Sequence, residues 1–284
     1  MTRRREVLDR LTGLVEVRDI VDAMKTLSFI ETRRIADRLE NERQVVEAIE
    51  GAAGDMLAVH ANLLRPRGEP PRLWVVVGSE RGFCGDFNEQ VIDRLAVDID
   101  AHAPGARPDL IAVGDRLGSR LERDPRVAER LQGASVADEV DTTLGRIVAA
   151  LGARRDARGP PAVRVVWQDP ASDAPGAMAL LPAFDDLQSR ARAAGSVQPP
   201  PLTHLSADAL MLGLADQYLF AVLRRVLDSA LLAEHQRRVA HLEAAGHHIE
   251  ARVEALQRRA NQLRQEEIIE EIEVILLSGA TQAP

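Results

Sequence analysis

A long proline-free stretch, from Ser206 to Ser278, constrains the fold of this chain more than any other feature. Alanine, leucine, arginine, glutamine and glutamate dominate it. All five are strong helix formers, so the stretch predicts one continuous helix. At about 1.5 Å per residue this helix would be about 100 Å long, several times the radius of a domain that the chain could form. Such a helix needs a partner helix.

The second half of this stretch carries a narrow apolar stripe. Its residues alternate in steps of four and three: Ile249, Val253, Leu256, Ala260 and Leu263. This spacing is typical of a coiled-coil seam rather than of a helix face in a globular core.

Residues 3 to about 64 form a second long helical pattern. Its apolar positions near the N-terminus are Leu8, Leu11, Val15, Val17, Ile20, Met24 and Leu27. A charged stretch from Arg33 to Arg43, which includes Arg34, Arg38, Glu40 and Glu42, is predicted to be solvated. The apolar pattern then returns weakly through Val45, Val46, Ile49 and Leu57. The prolines between residues 65 and 71 cannot continue a helix, so a linker is predicted there.

The middle of the chain changes period. Short apolar runs predict four strands: Leu73–Val77, Leu110–Val113, Val163–Trp167 and Ala177–Leu181. Helical spacing between them covers residues 88–101, 115–121 and about 141–151. This alternation predicts a small α/β layer with a mostly parallel sheet. Residues 182–201 are expected to be loop or partly helical, and Pro199 to Pro201 mark the boundary with the last helix.

The sequence therefore predicts an N-terminal coiled-coil helix (1–64), a Rossmann-like α/β domain (72–201) and a C-terminal coiled-coil helix (205–284). The economical arrangement pairs the two end helices as an antiparallel coiled coil, with the α/β domain inserted between them. Gly13 and Gly246 would each cost about 1 kcal/mol inside a helix, and a close backbone approach is the hypothesis that explains them.

Composition limits the classes of function. A net charge of −8 argues against a nucleic-acid binder. The single cysteine, Cys84, excludes an internal disulfide and fits a reducing compartment. No apolar run reaches the roughly 18 residues of a membrane span, and no signal-peptide core follows the charged N-terminus. A soluble intracellular protein is expected.

Five sequence blocks carry a family resemblance. The first is Ile20–Lys25, where Ile20, Ala23, Met24 and Lys25 match I-T-K-A-M-K. The second is the turn after the first predicted strand, in which Ser79, Arg81, Gly82, Cys84, Gly85 and Asn88 match S-D-R-G-L-C-G-G-L-N. The third contains Glu234, His235 and Arg238. The fourth contains Asn261, Arg264, Gln265, Ile268, Glu271 and Ile272, and the fifth is Ser278–Ala280. In this order and spacing, the blocks resemble the gamma subunit of F-type ATP synthases.

The resemblance implies a central rotor shaft without catalysis on this chain, and with no cofactor or metal. The coiled coil would turn inside a ring of alternating alpha and beta subunits, and the chain would also contact the epsilon subunit and the membrane c-ring. No homo-oligomer is expected. The implied location is peripheral, on the cytoplasmic face of a bacterial membrane. The implied contacts with the alpha/beta ring are Met24, Lys25, Arg264, Gln265 and Glu271, and Ile268 to Leu277 would form an apolar end inside the ring.

Several positions depart from the family pattern. Ala233 stands in place of a serine, Ile269 in place of a threonine, and Val239 and Leu242 in place of a methionine-rich face. The chain is therefore a divergent member, and the alternative bacterial branch, which is often sodium-linked, is one place for it. The paired cysteines of the chloroplast-type redox insertion are absent.

Other interpretations of these residues stay open. The chain could be a coiled-coil scaffold, or an α/β nucleotide-binding enzyme dimerised through its helices. The turn at residues 79–88 follows a strand, but Gly78, Gly82 and Gly85 fit neither common phosphate-binding pattern, which favours a structural turn. Cys84 is interpreted as a buried thiol rather than a nucleophile. The helical histidines His241, His247 and His248 are interpreted as solvated residues rather than metal ligands.

Overall fold

A computed structural model describes residues 3–60, 63, 72–158, 162–172, 174–184, 187 and 203–280. The helices are α1 (Arg3–Val59), α2 (Phe87–His102), α3 (Asp115–Arg120), α4 (Val140–Arg158) and α5 (Ala207–Ala280), and a 3-10 turn spans Ala137–Glu139. The strands are β1 (Leu73–Val77), β2 (Asp109–Val113), β3 (Val127–Leu131), β4 (Val163–Trp167) and β5 (Gly176–Leu181).

The five strands form one sheet in the order β3-β2-β1-β4-β5. The pairs β1–β2, β1–β4 and β2–β3 are parallel, and β4–β5 is antiparallel. Strand β1 lies at the centre and is buried along its whole length. A mostly parallel sheet of this order, with helices on its faces, is a Rossmann-like layer.

Alternate side chains of β1 enter two apolar clusters on opposite faces of the sheet, as the period of a strand requires. Trp74 and Val76 pack with residues of α2 and α3. Leu73, Val75 and Val77 belong to the other cluster, which contains residues of α4 together with parts of α1 and α5. The long helices therefore cover one face of the sheet and α2 covers the other.

The described chain divides into two compact units. One comprises residues 1–28 and 239–284, and the other comprises residues 29–238. Helix α1 and helix α5 each contribute to both units. Among the described residues, no helix combines the length and apolar character needed to cross a membrane.

In the first unit, α1 and α5 pair in antiparallel orientation. Arg4 Nη1 lies 3.2 Å from Glu267 Oε2 and joins the start of α1 to the far part of α5. The predicted seam of α5 is confirmed, because Val253, Ala260 and Leu263 are buried, while Ile249 and Leu256 are half-buried.

The apolar positions predicted near the N-terminus of α1 lie only partly on its seam with α5. Leu11, Val15 and Met24 are half-buried as expected, together with Val7, Leu14, Arg18 and Val21. Four of the predicted positions are exposed instead: Leu8, Val17, Ile20 and Leu27. The seam therefore follows a neighbouring stripe of the same helix.

The hypothesis about Gly13 and Gly246 is also wrong. A Cβ atom added at either position would meet no other atom within 4 Å. No backbone approaches closely enough to require glycine at these two positions.

In the second unit, α1 and α5 again pair in antiparallel orientation. Arg224 Nε donates to Glu42 Oε1 (2.8 Å), and Tyr218 Oη donates to Glu50 Oε1 (3.2 Å). Residue numbers thus increase along α1 while those of the contacting residues decrease along α5. The buried face of α1 has coiled-coil spacing and consists of Ile35, Leu39, Glu42, Val46, Ile49, Ala53 and Met56. Glu42 therefore lies on the buried face, and its prediction as a solvated residue is wrong.

Most element bounds agree with the sequence patterns, with three differences. Helix α1 ends at Val59, before the proline-containing segment, of which residues 64–71 lie outside the described residues. Strand β3 was not predicted, because Glu129 and Arg130 interrupt its apolar residues at the sheet edge. Helix α5 begins one residue after Ser206, whose Oγ accepts a hydrogen bond from the Ala209 N–H (3.3 Å) as an N-cap. Residues 185–186, 188–202 and 281–284 lie outside the described residues.

The seam of the first unit makes a prediction about stability. Val253→Ala removes two buried methyl groups from the seam and should lower the free energy of unfolding by about 1.5 kcal/mol. The matched control is Val274→Ala, because Val274 lies on the same helix but is exposed. Urea unfolding of the full chain, followed by far-UV circular dichroism, measures both. Equal effects of the two substitutions would contradict the seam.

Candidate functional site

The turn that follows β1 is the most specific motif of the sequence, and its shape depends on close packing. A Cβ atom at Gly78 would lie 2.5 Å from Leu117 Cβ and 2.6 Å from Asn88 Oδ1, so only glycine fits. Gly85 has a φ of 61°, in the left-handed region that glycine adopts most readily. Both residues allow the chain to turn tightly from β1 into α2.

Ser79 and Asn88 fasten the two ends of this turn to each other. The Ser79 N–H donates to Asn88 Oδ1 (3.0 Å), and Asn88 Nδ2 donates to Ser79 Oγ (2.8 Å). Both side chains are buried. Two reciprocal hydrogen bonds therefore close the turn at the start of α2.

The carboxylate of Glu234, on α5, accepts hydrogen bonds from the backbone of the turn. The Glu80 N–H donates to Oε2 (3.0 Å) and the Arg81 N–H donates to Oε1 (3.1 Å). Glu234 is fully buried. Two motif blocks that lie far apart in the sequence thus meet in the second unit.

Arg238, one helical turn further on, binds several groups at the same place. Its Nη2 contacts Glu234 Oε1 in a buried ion pair and lies 3.5 Å from Cys84 Sγ. Its Nε donates to the Gly82 carbonyl oxygen (3.1 Å), and its Nη1 lies 3.2 Å from His235 Nδ1. We call Glu234, His235, Arg238 and the turn at residues 79–88 the turn–helix lock.

The side chain of Glu80 extends the lock to the neighbouring strand. Its Oε2 accepts hydrogen bonds from the Asp115 N–H (2.9 Å) and the Gly133 N–H (2.7 Å), which follow β2 and β3. The motif comparison gave Glu80 no role of its own. The one sequence signal that pointed to Glu80 was an acidic residue a few positions after a buried strand.

Protonation in the lock follows from burial. Burial raises the pKa of the Cys84 thiol to about 12, and the charge of Glu234 adds to this effect. Burial, together with the charge of Arg238, lowers the pKa of His235 to about 4. Burial also raises the pKa of Glu234, while Arg238 and the two backbone N–H groups oppose that rise.

These shifts decide what the lock does chemically. At neutral pH Cys84 is a thiol rather than a thiolate, so it is a poor nucleophile. His235 is neutral and receives a hydrogen bond from an arginine, so its Nδ1 is not available as a base. Glu234 occupies the two backbone N–H groups that a phosphate would need at this turn. The lock is therefore a structural joint.

Ala233, which departs from the family pattern, packs against the same joint. It is buried in the apolar cluster that contains Trp74, Cys84 and Phe87. A serine at this position would place a hydroxyl group in that cluster, so the alanine suits its surroundings.

The predicted contact residues lie in the first unit and do not form a cluster with the lock. Met24 and Lys25 are half-buried, and Lys25 Nζ lies 3.7 Å from Asp22 Oδ1. The candidates on α5 are all exposed: Arg264, Gln265 and Glu271. Asn261, grouped by sequence with the structural motif residues, is also exposed.

The helical histidines are exposed as well. His241 and His248 face solvent, and His247 Nδ1 lies 3.7 Å from Glu250 Oε2. Within the described ranges, no group of three or more histidine, cysteine, aspartate or glutamate side chains is placed to hold a metal ion.

Comparison with known proteins identifies the family. The model of a family described as ATP synthase matches residues 3–281. The chain belongs to the ATP synthase family. An ATP synthase gamma chain from Rubrobacter xylanophilus is 25% identical over 284 residues, which cover 97% of each chain. The resemblance to gamma subunits is therefore confirmed.

Two solved structures of this family share the fold. A chain in the rotor of the Euglena gracilis mitochondrial ATP synthase, rotational state 1, gives a TM-score of 0.61 at 16% identity and covers 93% of this chain and 98% of its own. A chain in the OSCP/F1/c-ring structure from the same organism, rotational state 3, gives 0.65 at 16% identity and covers 98% and 94%. The predicted fold class, a helix pair with an inserted α/β layer, is confirmed.

The lock makes a testable prediction. Arg238→Gln removes the charge that faces buried Glu234, and leaving one partner of a buried ion pair alone costs about 3–5 kcal/mol of unfolding free energy. Opening of the turn should also expose Cys84, so its alkylation by iodoacetamide at pH 7 should become faster. Mass spectrometry of the intact chain measures that rate.

Arg237→Gln is the matched control. Arg237 is the neighbouring arginine and pairs with Asp86 (3.2 Å), but its side chain is 36% exposed. An exposed ion pair contributes only about 0–1 kcal/mol. The lock would be contradicted if Cys84 reacted at the same rate in Arg238→Gln as in the wild type.

Proposed function

We propose that this chain is the central shaft, or gamma subunit, of a rotary ATP synthase. The observation that carries the proposal is the antiparallel pairing of the first helix with the last, with a Rossmann-like layer inserted between them. The family match over residues 3–281 adds to it, because it includes both helices as well as the sheet. The shaft transmits torque between an ion-driven ring in the membrane and a catalytic hexamer of alpha and beta subunits.

In this proposal the chain performs no bond chemistry itself. Its reactive candidates are inactivated by their surroundings, since burial keeps Cys84 protonated and His235 neutral. Catalysis takes place on the alpha and beta subunits. As the shaft turns, its different faces meet the three catalytic sites in succession and hold them in different conformations.

The surface of the first unit suits a shaft that turns inside other subunits. Near the end of α5 a group of apolar side chains is exposed: Ile268, Ile269, Ile272, Val274 and Ile275. Exposed apolar patches of this kind mark contact with other proteins. We assign this apolar end, together with Met24, Lys25, Arg264, Gln265 and Glu271, to contact with the alpha/beta ring.

The remaining partners follow from the role of a shaft. We assign the epsilon subunit and the membrane c-ring to the second unit, which contains the Rossmann-like layer. In this assignment the complex holds the chain at the membrane, as a peripheral subunit on the cytoplasmic face of a bacterial membrane. A simple scaffold would leave the inserted sheet without a role. An enzyme built on the turn after β1 would need the N–H groups that Glu234 occupies.

Assembly and rotation test the proposed function directly. The full chain is produced with the alpha and beta subunits of its own source, and the purified complex is fixed through the hexamer. Ser119→Cys, an exposed site on α3, carries a bead, because buried Cys84 does not react readily. We expect a complex of three alpha, three beta and one shaft, with ATP-driven rotation of the bead in one direction. Failure to assemble, or a bead that never turns, would overturn the proposal.

Charge reversal tests the assigned contacts. Arg264→Glu or Glu271→Arg should lower the torque and the rate of ATP-driven rotation of the complex severalfold, because each change places a like charge against the ring. Both positions are exposed on α5, so the isolated chain should keep its unfolding midpoint. Arg258→Glu, also exposed on α5, is the matched control and should leave coupling unchanged. Full coupling in Arg264→Glu and Glu271→Arg would contradict these contacts.

A further inference from the structure

Two acidic side chains face each other between α1 and α5 in the second unit. Glu42 occupies a core position on α1, about one helical turn from Leu39 on one side and from Val46 on the other. Asp228, on α5, is fully buried. The two side chains are neighbours, because Arg38, one turn before Glu42, lies 4.0 Å from Asp228, and Arg224, one turn before Asp228, donates a hydrogen bond to Glu42. A pair of acids at this depth is unusual, because buried carboxylates are expensive unless a cation or several donors accompany them.

Two arginines are near, but most of their donors point elsewhere. Arg38 Nη1 lies 4.0 Å from Asp228 Oδ1, beyond hydrogen-bonding distance, and donates instead to the Ala137 carbonyl oxygen (3.0 Å). Arg224 Nε donates to Glu42 Oε1 (2.8 Å), and its Nη1 donates to Asp141 Oδ1 (2.6 Å). The charged groups around Asp228 are thus Arg38 and Glu42 on α1, Arg224 on α5 and Asp141 on α4.

Three carboxyl oxygens remain without a donor. Within the part of the chain that the structure describes, Asp228 Oδ1, Asp228 Oδ2 and Glu42 Oε2 are buried and receive no hydrogen bond. Two ionised groups in contact here would repel each other and leave all three oxygens unsatisfied. One proton placed between them removes a negative charge and joins two of the three oxygens in one hydrogen bond. Carboxyl pairs that share a site commonly hold a proton in this way.

We propose that Glu42 and Asp228 share one proton at neutral pH and form an acid–carboxylate bond that joins α1 to α5. The proton belongs to the pair rather than to one residue. This bond is a pH-sensitive connection between the two long helices of the second unit, and nothing in the shaft function requires it. The pKa of Asp228 agrees with the geometry, because burial and contact with Glu42 raise it to about 8, against the opposing charges of Arg38 and Arg224.

One member of the pair, Glu42, borders a groove. This groove has a volume of about 350 Å³ and is lined by Arg38, Asn41, Glu42, Val45, Ala221 and Arg224. Because Glu42 lines this groove, a proton can exchange with solvent through it. The bond can therefore respond to the pH of the surrounding solution without unfolding of the chain.

The pH dependence of stability has a definite sign. The pKa of Asp228 is about 8 in the folded chain, against an ordinary aspartate value of about 3.9. Between these two pH values the folded state therefore binds one proton more than the unfolded state. Stability from this pair is complete below about pH 4 and is lost as the pH rises towards about 8. Above that range both carboxyl groups are ionised and repel each other.

Infrared spectroscopy of the full chain tests the shared proton directly. At pH 7 the wild type should show the carbonyl-stretch band of one buried protonated carboxyl group, and the band should disappear as the pH is raised through about 8. Asp228→Asn should abolish it, because the amide supplies the donor and Glu42 keeps its hydrogen bond from Arg224. Glu42→Gln should lower the pH at which the band disappears, because contact with Glu42 no longer raises the pKa of Asp228. Asp216→Asn, an exposed aspartate of the same helix, should retain the band.

Thermal unfolding gives an independent readout. As the pH rises from 5 to 9, the Tm of the wild type should fall relative to that of Asp228→Asn, and Asp216→Asn should follow the wild type. Circular dichroism at each pH verifies that all variants are folded. The proposal is overturned if the wild type has no protonated-carboxyl band at pH 7, if the band survives in Asp228→Asn, or if Glu42→Gln leaves the pH of its disappearance unchanged. A constant Tm difference across this pH range would also overturn it.

Discussion

The pairing of the first helix with the last is the constraint on which the rest of the fold depends. In the first unit Arg4 contacts Glu267, 263 positions away, and in the second unit Glu42 contacts Arg224, 182 positions away, so most of the chain separates the residues in contact. Ordering so long an intervening segment costs conformational entropy, and a narrow seam offsets this cost only when its contacts are summed over its whole length. The compact α/β layer reduces this cost, because folding of the sheet fixes the segment that connects the two helices.

The turn–helix lock shows how one end of the sheet is tied to α5. A buried ion pair contributes little net stability compared with an apolar contact, since removing both charges from water is expensive. The ion pair instead fixes the geometry of the turn, because Glu234 accepts hydrogen bonds from two backbone N–H groups only when the turn has one particular shape. The same carboxylate stands where a phosphate would stand in a nucleotide-binding Rossmann fold. Because Glu234 accepts the hydrogen bonds of the Glu80 and Arg81 N–H groups, these groups are not free to bind an external anion.

Periodicity predicted the elements well but could not decide which side of α1 faces its partner. Val17, Ile20, Met24 and Leu27 repeat in steps of three and four, and so do the true seam residues Val7, Leu11, Leu14, Arg18 and Val21, so the sequence contains two overlapping stripes. Glu42 was missed because charged residues on helices are usually solvated, although it falls in the three-four spacing of Ile35, Leu39, Val46 and Ile49. Strand β3 was missed because an edge strand needs apolar residues on one face only. The lock was predicted as a set of motif residues, but not as a set of contacts.

The exposed apolar stripe of α1 has a physical meaning of its own. Ile20 and Leu27 are 60% and 65% exposed, and Ile272 on α5 is 50% exposed. Burying such a side chain against a partner contributes about 1.5–3 kcal/mol. An apolar side chain left in water makes no such contribution, and a polar residue at the same position would be solvated better. A helix pair that stood alone would have no reason to keep two apolar faces. A shaft surrounded by other subunits needs one face for its own seam and another for the surface on which it turns, and the residues of the first unit meet both requirements.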